Sequence, residues 1–147
     1  MANQITVSIT DNSDAVRREL DDAIEKALME IGIEAEGYAK DIATEKGAKD
    51  TGYLVNSITW AIGGKSANIN NWKADKPNKQ GKVREGTYSG TAAEKSQPCV
   101  YIGSGVEYAP FIEMGTSRMA PRTFIRPAVE DFRQEYKEIL ENNLKNG

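Results

Sequence analysis

DAVRRELDDAIEKALMEIGIEAEGYAKDIAT, from Asp14 to Thr44, decides the fold. Along it Val16, Leu20, Ile24, Ala27, Leu28, Ile31, Ala35, Tyr38 and Ile42 recur at steps of three or four. Residues so spaced share one stripe of an α-helix, so the spacing predicts a long amphipathic helix from about Asp14 to Thr44. At 1.5 Å per residue it spans about 45 Å, more than a small domain needs to cover its own core. Gly32 and Gly37 each weaken it by about 1 kcal/mol relative to alanine, and mark a bend or a close crossing. Just upstream, Ser13 can accept an unpaired first-turn amide, and Asp14 suits the positive end of the helix dipole. Before it, Ile5, Val7 and Ile9 alternate with Thr6, Ser8 and Thr10, the pattern of a half-buried strand over Gln4 to Thr10.

Downstream of the helix, EKGAKDTGY is turn chemistry. LVNSITWAI then places Leu54, Asn56, Ile58, Trp60 and Ile62 at alternate positions, which predicts a second strand. Residues Gly63 to Pro98 are rich in Gly, Asn, Lys and Ser, and are far longer than the roughly 4–6 residues of an ordinary connection. In this insert Lys65, Lys73, Lys76, Lys79, Lys82, Arg84 and Lys95 outnumber Asp75, Glu85 and Glu94. An extended arm or mobile hairpin is the expectation for it. CVYIG, Cys99 to Gly103, reads as a third strand. Glu107 to Met114 reads as a short helix stopped by Gly115, and Arg126 to about Asn143 as a final helix with Pro127 tolerated in its first turn. The expected fold is therefore α+β: one domain over residues 1–147, with a small, mainly antiparallel sheet against a long N-terminal and a C-terminal helix.

The 147 residues carry 39% hydrophobic and 28% charged side chains and a formal net charge of −3. With a pI near 5.1, this balance disfavours a protein whose main task is to coat nucleic acid. Cys99 is the one cysteine, which excludes an intramolecular disulfide and fits synthesis in a reducing cytoplasm. No run approaches the roughly 18 apolar residues of a membrane span. The opening MANQITVSIT lacks the order of an export signal.

Histidine is absent, and with it the commonest general base and transition-metal ligand. Zinc chemistry and His-activated nucleophiles are excluded on that ground. GGKS at Gly63 to Ser66 lacks the leading glycine and following helix of a phosphate loop. The pairs Asp21/Asp22 and Glu34/Glu36 fall on the polar side of the long helix, where solvation explains them. The sequence predicts no enzyme, no cofactor and no metal site.

The segment YAPFIEMGTSRMAPRTFIRPA, Tyr108 to Ala128, holds three arginines and three prolines among bulky apolar residues. It contains Y-A-x-x-x-E-x-G-T and then M-x-x-R-x-F-x-x-P-A, and DTGYLVNSI at Asp50 to Ile58 supplies D-T-G-x-L-x-x-S-I upstream. In this order the three segments resemble the signature of the tailed-bacteriophage minor tail component family, the gene-ten-product-like or tail-completion proteins of the head-tail joint. The match covers roughly Asp50 to Trp60 and Val100 to Asn143. Pro121-Arg122-Thr123-Phe124 stands where the family commonly has Arg-Pro-Phe, and the 63–98 insert is longer than the family's connection.

The resemblance implies a non-enzymatic virion subunit that assembles as a ring of sixfold symmetry at the neck, made in the bacterial cytoplasm. Its implied partners are copies of itself, a head-completion or stopper protein, the tail terminator and the tail tube, with DNA only as passing cargo. It marks Asp50, Thr51, Gly52, Leu54, Ser57, Gly115 and Pro127 as structural motif positions. The expected assembly surface is Tyr108, Phe111, Glu113, Thr116, Arg118, Met119, Arg122, Phe124 and Arg126. Tyr108, Phe111, Met119 and Phe124 would form an apolar cluster, while Glu113 would pair with Arg118, Arg122 or Arg126 to fix the loop or to bridge subunits. Two alternatives stand beside this: a tail-terminator ring subunit, and a nucleic-acid-binding module using the basic insert.

Overall fold

Small side chains, rather than the large ones, bring the long helix onto the body. Helix α1 (Ala2–Glu45) buries Ala23, Ala27, Ala35, Ala39 and Ala43, a row of i, i+4 neighbours that winds slowly about its axis. Gly32 is buried beside this row. A Cβ at Gly32 would lie 2.7 Å from the Trp60 ring, so this glycine marks a close crossing of helix and strand. No atom lies within 4 Å of a Cβ at Gly37. Ile24, Leu28, Ile31, Tyr38 and Ile42 flank the alanine row and are half-buried. Val16 and Leu20, placed in the buried stripe by spacing, are 61% and 47% exposed because this end of α1 runs past the body.

The computed structural model describes residues 2–146, with side chains from Asp14 onward. The strand expected over Gln4 to Thr10 is instead helix, continuous with the rest of α1, and Ser13 lies within that helix rather than capping it. After α1 the order is α2 (Tyr53–Ser57), β1 (Thr59–Ile62), β2 (Asn71–Lys73), β3 (Glu85–Thr87), β4 (Val100–Gly103), α3 (Ala109–Met114), α4 (Ile125–Glu130) and α5 (Arg133–Asn146). Strand β1 pairs antiparallel with β4, Trp60 opposite Ile102, and β2 pairs antiparallel with β3, Trp72 opposite Gly86. The fold is α+β, as the hydrophobic pattern predicts.

Two further expected elements need correction. LVNSITWAI is not one strand: Tyr53 to Ser57 make a helical turn, and only Thr59 to Ile62 extend. Tyr53, Leu54 and Val55 are buried in succession, which leaves no solvent side for a two-residue alternation. The final helix is broken between Glu130 and Arg133, so that Phe132 can stack on Tyr38 at 3.6 Å between ring centroids.

Of the two forms expected for the insert, extended arm or mobile hairpin, the structure has a hairpin, and it is packed into the core. Its β2–β3 hairpin places Trp72 and Ala74 in the central apolar cluster with Leu54, Ile58, Val106 and Phe124. Trp72 lies 4.7 Å from Tyr88 and 5.7 Å from Tyr53, centroid to centroid. Gly86 forms the floor beneath the indole, where a Cβ would overlap the ring. Two aromatics and a glycine do here what a row of aliphatic residues does in an ordinary hairpin, each buried large side chain contributing about 1.5–3 kcal/mol.

Helix α5 runs antiparallel along α1. The Tyr38 hydroxyl donates to Glu135 at 2.5 Å, and the Asn143 amide donates to Glu30 at 3.2 Å. The hydrogen bond and charge of Glu135 push the Tyr38 phenol from 10.0 to about 12, and burial pushes Tyr136 to about 12 as well.

Two predictions follow from this packing. Gly32→Ala should destabilise the chain by about 1–3 kcal/mol despite its helix propensity, through overpacking against Trp60. Gly37→Ala should stabilise it by about 0.5–1 kcal/mol. Urea midpoints check the pair, and shifts of the same sign would contradict the close crossing. The folded chain holds the Tyr38 and Tyr136 protons more tightly than the unfolded chain does. Their stabilisation is therefore complete below pH 10 and is lost as pH rises toward 12. Phenolate absorbance should show Tyr38 titrating late, and Glu135→Gln should return it toward 10.

Candidate assembly surface

The segment from Tyr108 to Ala128 is built on the C-terminal end of α1. That end closes in a left-handed glycine cap: Gly47, at φ 76°, donates to Thr44 O at 3.1 Å, and Ala48 donates to Ala43 O at 2.9 Å. Gly47 O then accepts the Arg122 guanidinium at 3.0 Å. The Lys46 ammonium donates to Thr123 O at 2.7 Å and to its hydroxyl at 3.0 Å. Arg122 N–H donates to Ile112 O at 2.8 Å, closing the loop against α3.

Glu113 makes the central contact of this surface. Its Oε1 accepts the amides of Phe124 at 2.9 Å and Ile125 at 2.8 Å, and its Oε2 accepts that of Arg126 at 3.1 Å. A carboxylate from α3 thus caps the start of α4, satisfying three amides that have no partner inside a helix. The expected pairing of Glu113 with Arg118, Arg122 or Arg126 is replaced by these bonds. Among the described residues no ion pair engages those three arginines.

The apolar cluster expected here is only partly assembled. Phe124 is 1% exposed and sits in the core, Tyr108 and Met119 are half-buried, and Phe111 is 57% exposed. Burial raises the Tyr108 phenol. Thr116 and Met119 close a tight turn, Thr116 N–H donating to Met119 O at 2.8 Å, and Thr116 Oγ1 accepts Arg118 N–H at 3.2 Å. Gly115 enters that turn at φ 77°, and a Cβ there would lie 2.8 Å from Pro121 N. Between α3 and α4 an open groove of about 460 Å³ has apolar walls of Pro110, Met114, Ile125 and Val129, with Arg126 and Glu130 also lining it.

The other motif residues serve the fold. Asp50 is exposed, while Thr51 O accepts the amides of Asp75 at 2.7 Å and Lys76 at 3.1 Å. A Cβ at Gly52 would lie 2.5 Å from the Asp75 carboxylate. Leu54 is buried, and Pro127 O accepts Asp131 N–H at 2.9 Å. Ser57 donates to Leu54 O at 2.6 Å. Its single proton being used, Ser104 is the donor in the 2.5 Å bond between the two hydroxyls.

Sequence reading missed the clasp on the hairpin. Asn56 donates to Lys73 O and to Asp75 Oδ1, both at 2.9 Å. Arg84 pairs with Glu107 at 2.7 Å and lies 4.3 Å over the Tyr53 ring. The Arg84 guanidinium holds the Glu107 carboxyl below the usual range. Lys65 of the GGKS turn pairs with Glu25 of α1. Among the described residues no three metal-ligating side chains converge, and no helix is long and apolar enough to cross a membrane. Comparison of the chain with protein-family models, curated proteins and solved structures gave no match.

If the carboxylate cap fixes the loop, Glu113→Ala should cost about 2–3 kcal/mol by leaving part-buried amides unpaired, and Glu113→Gln about 1 kcal/mol. Arg118→Ala, at an exposed position, should stay within about 0.5 kcal/mol of the parent. Denaturation midpoints of the three variants measure the order, and an Arg118 effect as large as that of Glu113 would refute it.

Proposed function

We propose that the protein is a structural virion subunit of a tailed bacteriophage, forming a ring that completes the neck between head and tail. The observation that carries this reading is a pair of exposed apolar surfaces well apart along α1. Along α1, Val16 and Leu20 are exposed, and near its C-terminal end the groove between α3 and α4 opens beside Met114, itself 72% exposed. Two different surfaces that meet between copies make head-to-tail contacts, which form a ring when the rotation between copies closes.

The three ordered motifs support the same reading, because their residues carry the turns, caps and core contacts of a scaffold. An acidic chain also suits a passage that DNA must cross without adhering, since like charge avoids phosphate. Completion rather than termination of the tail rests on the motif order alone. The rival nucleic-acid role for the insert is weakened, because Lys65 and Arg84 are engaged by Glu25 and Glu107.

Native mass spectrometry of the purified chain across a concentration series tests the proposal. A discrete species of about six 16.2 kDa subunits is expected. A monomer at every concentration, together with steeply salt-dependent DNA binding, would replace it by the nucleic-acid reading.

A further inference from the structure

We infer that α5 is a strap that swings off α1 about the break between Glu130 and Arg133 while the rest of the chain stays folded. Docked, it holds Tyr38 and Glu30 of α1. Open, it releases both.

Three observations carry this. None of the side chains from Arg133 to Asn146 is buried, and none joins the central apolar cluster, whereas α1 buries Ala27, Ala35, Ala39 and Ala43. Tyr136, Ile139 and Leu140 are only half-buried, and Leu144 is exposed. An element with so few buried apolar groups opens at lower free energy than the core does. Second, the specific contacts that dock it are few. The Tyr38 hydroxyl donates to Glu135, the Asn143 amide donates to Glu30, and Phe132 stacks on Tyr38 at the near end. Among the described residues no ion pair joins α5 to α1.

Third, the chain has a joint at this place. Helix α4 ends with Asp131 N–H donating to Pro127 O at 2.9 Å, and α5 begins with Tyr136 N–H donating to Phe132 O at 3.1 Å. The two helices are separate hydrogen-bonded units. On one side of the joint α4 stays anchored by the fully buried Ala128 and by the Glu113 cap. Across it the Tyr136 hydroxyl donates to Ala128 O at 2.5 Å, which keeps the first turn of α5 at the pivot.

Amide hydrogen exchange of the whole chain, followed in rising low urea, tests the strap. Amides from Lys137 to Asn143 should share one opening and exchange at least about 100-fold faster than those from Ala35 to Ala43. Their urea dependence should be shallower, because the opening exposes a single helix. Glu135→Ala and Asn143→Ala should each speed exchange in α5 roughly 5- to 10-fold and leave the Ala35–Ala43 amides unchanged. Ile58→Val, in the core, should do the reverse. Amides of α5 that match those of α1 in rate and urea dependence would overturn the inference, as would variants that move both sets together. A rate that falls smoothly from Asn146 back to Arg133 would mean fraying from the end, and would overturn it too.

Discussion

The close approach of α1 to β1 at Gly32 is the constraint on which the rest of the structure depends. Trp60 lies against helix backbone, and no residue with a Cβ fits between them. Around this contact the alanine row keeps the helix low on the body, so the two short sheets share a core although neither has more than two strands. A two-stranded ribbon is marginal alone, and the helix supplies the missing surface. Larger residues at the alanine positions would lift α1 away and open the core that Trp72, Ile58 and Phe124 fill.

A second constraint acts at the far end of the same helix. Phe124 anchors the loop before α4 in the core, and polar contacts fix the rest of it. Glu113 binds three amides, while Arg122 and Lys46 bind the cap and the chain around it. The carboxylate is best placed where the dipole of α4 favours negative charge. Among the described residues Arg118 and Arg126, both exposed, form no ion pair.

The sequence told much about the elements and less about their contacts. The long helix, CVYIG, the stop at Gly115 and the crossing at Gly32 were legible because periodicity and glycine placement are local signals. The burial of Val16 and Leu20 was misread, since a hydrophobic stripe does not say where the body beneath it ends. The packing of the 63–98 hairpin into the core is not legible, because Trp72 packs through Gly86, a pairing 14 residues apart that no period reveals. The arginines expected to pair with Glu113 are replaced by the amides of Phe124, Ile125 and Arg126. Side-chain charge is visible in a sequence, whereas free amides at a helix start that forms only after folding are not.

The motif residues bear on how a fold of this kind can serve assembly. Gly52, Leu54, Ser57, Glu113, Gly115, Phe124 and Ala128 all make their contacts within the chain. The side chains of Phe111, Met114, Arg118 and Val129 are exposed instead. Because α1 is one continuous helix, the angle between its free end and the loop is fixed by the Gly32 crossing and the Gly47 cap. In a head-to-tail assembly that angle sets the rotation from one copy to the next. Ring closure would then depend on the helix contacts as much as on the interface itself.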